Sequence, residues 1–220
     1  MKVHPSTIPG VAIHGPQAQE FRSALGTILG HEPQVELQPA IPFSVMVSNN
    51  SARAVAFLGV RFDLLDARGK RSSVVHYADT LRYPEAADFR PGARRFVCAE
   101  PAYTALVMRG EPITARGRMN LDNLRRMLQV RATVDCVVFD DGEFAGPDSE
   151  RTFDRLTAER VIEAGFLAEL EAAEDRAAFL ATTAGDSRER VLQTAARKIL
   201  DGKDFRLRIP ISRRHERPAE

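Results

Sequence analysis

The chain has 220 residues, 44% hydrophobic and 28% charged, with 31 Lys and Arg against 30 Asp and Glu for a formal net charge of +1. That length suits one large domain or a compact domain with a substantial appendage. The near-neutral charge excludes a global electrostatic drive toward nucleic acid or anionic membrane, and no apolar run reaches the length of a membrane-spanning helix.

Residues 1–15 are rich in Pro, Gly and His and read as irregular. Beyond them Phe21, Ala24, Leu25, Ile28 and Leu29 recur at helical spacing, with Pro16 suited to a first turn and Gly30 to a C-terminal cap, which predicts a short amphipathic helix. Residues 34–37 are expected to form a strand. From Ile41 the period changes to two: Ile41, Phe43, Val45 and Val47 alternate with Pro42, Ser44, Met46 and Ser48, and Asn49-Asn50-Ser51 is a turn cluster. A long strand follows, with Ala54, Ala56, Leu58, Val60, Phe62 and Leu64 on one face and Arg61 and Asp63 opposite. Residues 72–77, 94–99 and 103–108 read as further strands. Residues 120–127 read as a helical turn or a lead-in.

The strongest pattern runs over residues 127–146. Leu128, Val130, Ala132, Val134, Cys136 and Val138 occupy even positions, with Gln129, Arg131, Thr133 and Asp135 between them, so one face is expected to be buried with Val134 inward and Thr133 outward. Val137 and Phe139 make the far end apolar on both faces, and Asp140-Asp141-Gly142 reverses the chain. Many strands joined by turn residues argue an antiparallel sandwich.

After Gly146 the pattern returns to helix. Phe153, Leu156, Val161, Ile162, Phe166, Leu167, Leu170, Phe179 and Leu180 lie in one helix-favouring stretch that ends near Gly185, with Gly165 a candidate kink. Asp186 with Glu189 has the form of a second helix start, and Val191, Leu192, Ala195, Ala196, Ile199 and Leu200 form an apolar stripe that Gly202 ends. Two helices over residues 150–201 are therefore expected as an antiparallel hairpin. Phe205, Leu207, Ile209 and Ile211 alternate like a late edge strand, followed by a charged, disordered tail from Ser212.

The succession VMVSNNSARAVAFLGVRFDLLDARGK, FRPGARRFVC and VDCVVFDDGEFAGPD resembles the immunoglobulin-like or fibronectin-like sandwich of many uncharacterised bacterial proteins. It departs from antibody-type domains in having no Trp. The resemblance covers residues 34–146 and implies an antiparallel immunoglobulin-like β-sandwich there; with the patterns read on either side, the chain is expected to be mainly β with an α appendage, comprising an N-terminal segment with a short helix (1–33), the sandwich (34–146), a C-terminal helical region (147–202), and an edge strand with a charged tail (203–220). The resemblance implies fold rather than activity.

Chemistry has few anchors. His4, His14, His31, His76 and His215 are scattered without metal-site spacing, and His76 draws attention because Asp79 follows it. Asp140, Asp141 and Glu143 lack the alternating ligands of a calcium loop, and a hairpin turn explains them better. Ser72, Ser73 and Ser149 have no nucleophile context, and no Gly-rich phosphate loop occurs. Cys98 and Cys136 are either two buried thiols, the favoured reading, or one disulfide. The terminal RLRIPISRRHERP is basic but lacks interleaved aromatics. No catalytic, cofactor-binding or metal-ligating residue is assigned, and no cofactor is expected. The expected function is a non-enzymatic binding or assembly module whose helical region meets a protein partner, with neither nucleic acid nor a membrane span involved. The alternative is an enzyme with a loop-borne site in residues 79–92 or 109–120. Residues 1–16 lack the apolar core of a signal peptide, so the protein is expected either in the cytoplasm or exported with its leader removed.

Overall fold

The elements follow in the order β1 (Lys2–Val3), β2 (Val11–His14), α1 (Gln19–Leu29), β3 (Ser44–Asn49), β4 (Val55–Leu65), β5 (Arg71–Asp79), β6 (Arg94–Cys98), α2 (Pro101–Arg109), α3 (Ala115–Arg125), β7 (Gln129–Phe139), β8 (Glu143–Ala145), α4 (Thr152–Ala172), α5 (Arg176–Asp186), α6 (Arg190–Leu200) and β9 (Ser212–Arg213). This is a computed structural model, and it describes residues 1–30, 35–79, 89–186, 190–201 and 211–213. The expected edge strand over 205–211 and the cap at Asp186-Glu189 fall largely outside those residues, as do His31 and His215.

The strands form two sheets. The larger has the order β5-β4-β7-β8-β9, with β1 also paired to β7, and the smaller has the order β2-β3-β6. The antiparallel immunoglobulin-like sandwich is therefore overturned. The larger sheet is mixed, because β1 runs parallel to β7 and β9 parallel to β8. Helices also interrupt the supposed sandwich. Residues 101–109 are helical where a strand was expected: Pro101 opens the first turn, the Glu100 side chain accepts a hydrogen bond from Ala102 N–H, and Gly110 ends the helix. Tyr103, Ala105 and Leu106 are its buried residues, a spacing that a short apolar run leaves ambiguous between strand and helix. Helix α3 is capped by the Thr114 hydroxyl and buries Gly117, Leu121 and Leu124 along one stripe. Residues 35–37 form a 3-10 turn rather than a strand.

One contiguous core joins α1, the smaller sheet, α2, α3 and the inner face of the larger sheet. Phe21 of α1 meets Phe96 of β6 with ring centroids 6.2 Å apart, so strand alternation aims Val45, Val47 and Val97 at the other sheet. Phe21, Phe62, Phe96 and Phe139 are all but fully buried, each contributing roughly 1.5–3 kcal/mol from apolar burial. The Asn-Asn-Ser turn is locked by Asn49, whose amide donates to the Arg53 and Phe89 carbonyls, both at 2.8 Å, while its Oδ1 accepts from Ser51.

The organising strand β7 does not keep a single parity. Gly59 pairs with Cys136 but Val60 with Val134, so Asp135 is an extra residue, a β-bulge. Before it, Val130, Ala132 and Val134 face the central core. After it, Val137 and Phe139 take that face, while Cys136 and Val138 turn to a second cluster with Phe57, Phe144 and Leu156 of α4. Leu128, expected inside, is 70% exposed.

Three helices, not two, follow β8. Helix α4 runs through Gly165 and stops at Ala173, whose backbone is extended, and Asp175 Oδ1 then accepts from Ala178 N–H at 2.9 Å to start α5. Phe166, Leu180, Ala184, Ala195 and Ala196 form a core of their own between the helices. Arg197 of α6 donates two hydrogen bonds to the Ala184 carbonyl near the C-terminus of α5, at 3.2 and 3.1 Å. The first turns of α4 dock on the outer face of the larger sheet through Leu156 and Phe153.

Candidate functional site

Helix α4 covers only one end of that outer face. Elsewhere the outward positions of β5, β4 and β7 form the cross-strand rows Val75–Arg61–Thr133, Ser73–Asp63–Arg131 and Arg71–Leu65–Gln129. These rows line an open groove of about 420 Å³ that includes Arg61, Asp63, Arg71, Ser73, Gln129 and Arg131. Lys2 of β1 lies beside Arg131.

The charges of the groove are unevenly matched. Arg61 Nε donates to Asp63 Oδ1 at 2.7 Å, and its Nη1 lies 3.5 Å from Glu150 Oε1, which also accepts from Ser73 Oγ at 3.0 Å. Burial works against the Arg61 charge, but the hydrogen bond and charge of Asp63, with the charges of Glu150 and Asp135, more than offset it and raise its pKa. Arg71 and Arg131 have no ion-pair partner among the described residues. The groove thus holds one guanidinium fixed in place and two that remain open to an anion.

Residues 146–151 lead into α4 beside the groove, where Glu150 reaches Arg61 and Ser73, and the bulge holds this segment in place. Asp135 is 1% exposed; its Oδ1 accepts from Ser149 N–H at 3.0 Å and its carbonyl from Asp148 N–H at 3.1 Å, while Oδ2 is buried without a hydrogen bond. Gly146 passes so close that a Cβ there would lie 2.4 Å from the Asp135 carbonyl oxygen, and its φ of +129° suits glycine alone. Asp148 and Arg151 both adopt positive φ. Asp148 caps α4 by accepting from Phe153 N–H and pairs with Arg213, which places Glu150 over Ser73 and Arg61.

Other residues singled out in the sequence have structural places. His76 Nε2 donates to the Ala99 carbonyl at 3.0 Å and its ring stands edge-on to Phe62 at 5.5 Å; Asp79, an odd number of residues along β5, projects to the opposite face. Asp141 and Glu143 both bind Arg53, at 2.7 and 3.0 Å, and Arg53 lies over the Phe139 ring, so this turn is a clamp on the β4 entry. Among the described residues no group of three His, Cys, Asp or Glu is arranged for a metal ion. Cys98 and Cys136 are free and lie in different core clusters; burial pushes their thiols up to about 11 and about 12. Ser72 and Ser73 line the groove, whereas the Ser149 backbone serves Asp135. The helices turn most of their apolar residues inward, leaving Val161 and Leu200 exposed at 70% and 48%. No described helix is long and apolar enough to cross a membrane.

The groove was missed in the sequence because its arginines come from three strands. Arg61 and Arg131 were visible only as members of polar faces. No protein-family model matches the chain, and neither a curated protein nor a solved structure matches it.

Proposed function

We propose that this protein is a non-enzymatic binding module that holds an anionic group of its partner, a phosphate or carboxylate, in the groove on the outer face of the larger sheet. The observation that carries this reading is the pair Arg71 and Arg131, without ion-pair partners among the described residues, flanking an Arg61 whose guanidinium is oriented by Asp63 and Glu150. Planar guanidinium donors match the paired oxygens of such groups, and the Gln129 amide adds an uncharged donor beside them. Binding is favoured over catalysis because no histidine among the described residues lines the groove to activate Ser72 or Ser73, and the Ser73 hydroxyl is held by Glu150, which also faces Arg61.

Backbone NMR titration with inorganic phosphate and pyrophosphate tests this. Amide shifts should cluster at residues 61–73 and 129–131 and weaken with added salt, as expected for partly exposed charges. Arg131→Ala removes a charge-assisted contact worth about 1.5–3 kcal/mol, so affinity should fall by about tenfold or more. Shifts scattered over the surface, or equal affinity in Arg131→Ala, would overturn the reading.

A further inference from the structure

The charged part of the outer face continues past β7 onto β1. Val3 packs against the central core, so the exposed Lys2 before it stands on the outer face, directly beside Arg131 in the parallel pair. Arg131 is itself exposed between the buried Val130 and Ala132. Neighbouring strands lie about 4.8 Å apart, so two cations share one spot on the surface and repel each other. Neither has an ion-pair partner among the described residues. Asp63, the β4 neighbour of Arg131, is turned to Arg61 at 2.7 Å, and Arg61 also faces Glu150. One row away, Gln129, Leu65 and Arg71 lead from β7 to β5 without a carboxylate.

We propose that the anion held on this face is a linear chain of phosphates, with one end phosphate bridging Lys2 and Arg131 and the next ones running past Gln129 and Leu65 toward Arg71. The proposal rests on the reading of the groove as an anion site and names the class of anion. A terminal phosphate carries close to two charges and three acceptor oxygens, enough to satisfy a guanidinium and an ammonium together, whereas a carboxylate brings one charge and two oxygens. Arg71 and Arg131 stand two strands and one row apart, about 12 Å between Cα atoms, and side chains on a sheet stand roughly perpendicular to it. One phosphate does not serve both, and a chain of them does. No aromatic side chain lines the groove, so the bases of a nucleic-acid strand find nothing there to stack on.

Isothermal titration calorimetry of the full chain at fixed ionic strength, with orthophosphate, pyrophosphate and tripolyphosphate, reads the dependence on chain length. Affinity should rise at each step, by about tenfold or more from first to last. Arg71→Ala should weaken tripolyphosphate binding more than orthophosphate binding. Lys2→Ala should weaken all three by about tenfold. Lys2→Glu gives Arg131 a carboxylate neighbour and should remove the rise in Tm that phosphate produces in the wild type. Arg22→Ala, at an exposed position of α1 across the core from this face, measures the loss of any surface charge and should change little. Equal affinity for the three anions overturns the proposal. So do a wild-type phosphate response in Lys2→Glu, a Lys2→Ala no different from Arg22→Ala, or a single-stranded oligonucleotide that binds more tightly than a polyphosphate of equal charge. If orthophosphate binds and Arg131→Ala weakens it, the groove reading stands even where chain length and Lys2 prove irrelevant; failure of every phosphate to bind defeats both.

Discussion

His76 shows how one side chain carries information about the whole interior. Burial holds its pKa below the ordinary 6.5, with the Ala99 carbonyl opposing that shift less strongly. The folded protein therefore binds this proton less readily than the unfolded chain does. Well above pH 6.5 both states are neutral at this site and stability is unaffected; as the pH falls through 6.5 the unfolded state gains the proton first, and stability is lost. Urea melts across this range should show that loss in the wild type and a shallower one in His76→Gln, whose amide can still donate toward Ala99. Parallel stability–pH curves for the two proteins would mean that His76 is not held neutral by its surroundings.

At the scale of the element, the bulge in β7 decides which residues are structural. An unbroken alternation leaves Asp135 on a solvated face with Thr133 and Arg131, where substitution is nearly neutral. In the structure Asp135 is buried and holds the segment before α4 through Ser149. Asp135→Ala should therefore cost about 1–3 kcal/mol, the penalty for a buried donor left without its acceptor. Val134, buried in the central core, should tolerate Asp far less, at about 3 kcal/mol or more. Thr133→Asp should stay within about half a kcal/mol, since Thr133 is only half-buried and sits beside Arg61. Denaturant unfolding of the three variants gives this order directly. A near-neutral Asp135→Ala would show that the bulge carboxylate does not hold the loop.

At the scale of the whole molecule, α4 ties the C-terminal helices to the larger sheet. The first turns of α4 rest on the sheet through Leu156 and Phe153, with Arg155 over the Tyr77 ring, while its later turns pack on α5 and α6. Limited tryptic digestion of the native chain should spare the bonds after Arg155 and Arg160. Leu156→Asp should expose them while the β-core stays folded, because local opening follows the loss of buried apolar contact. Rapid cleavage at these sites in the wild type would show that the helical unit is not held to the sheet.

The sequence by itself determined the parts that depend on neighbours along the chain. The long alternations of β4 and β7, the Asn49 and Gly142 turns, and the stripes of α1 and α6 all follow from local periodicity and turn chemistry. The helix signals at Pro101 and Gly110 were present too, but the run between them is short enough to read with either period. Only the tertiary structure decided the rest. A bulge is visible only against its partner strand, since it consists of one extra residue relative to that partner. The parallel pairing of β1 and β9 joins segments far apart in the chain, and no local pattern specifies which edge each will meet. The groove belongs to the same class: Arg61, Arg71 and Arg131 have no spacing in common, and they become neighbours only because β4 pairs with β5 on one side and β7 on the other.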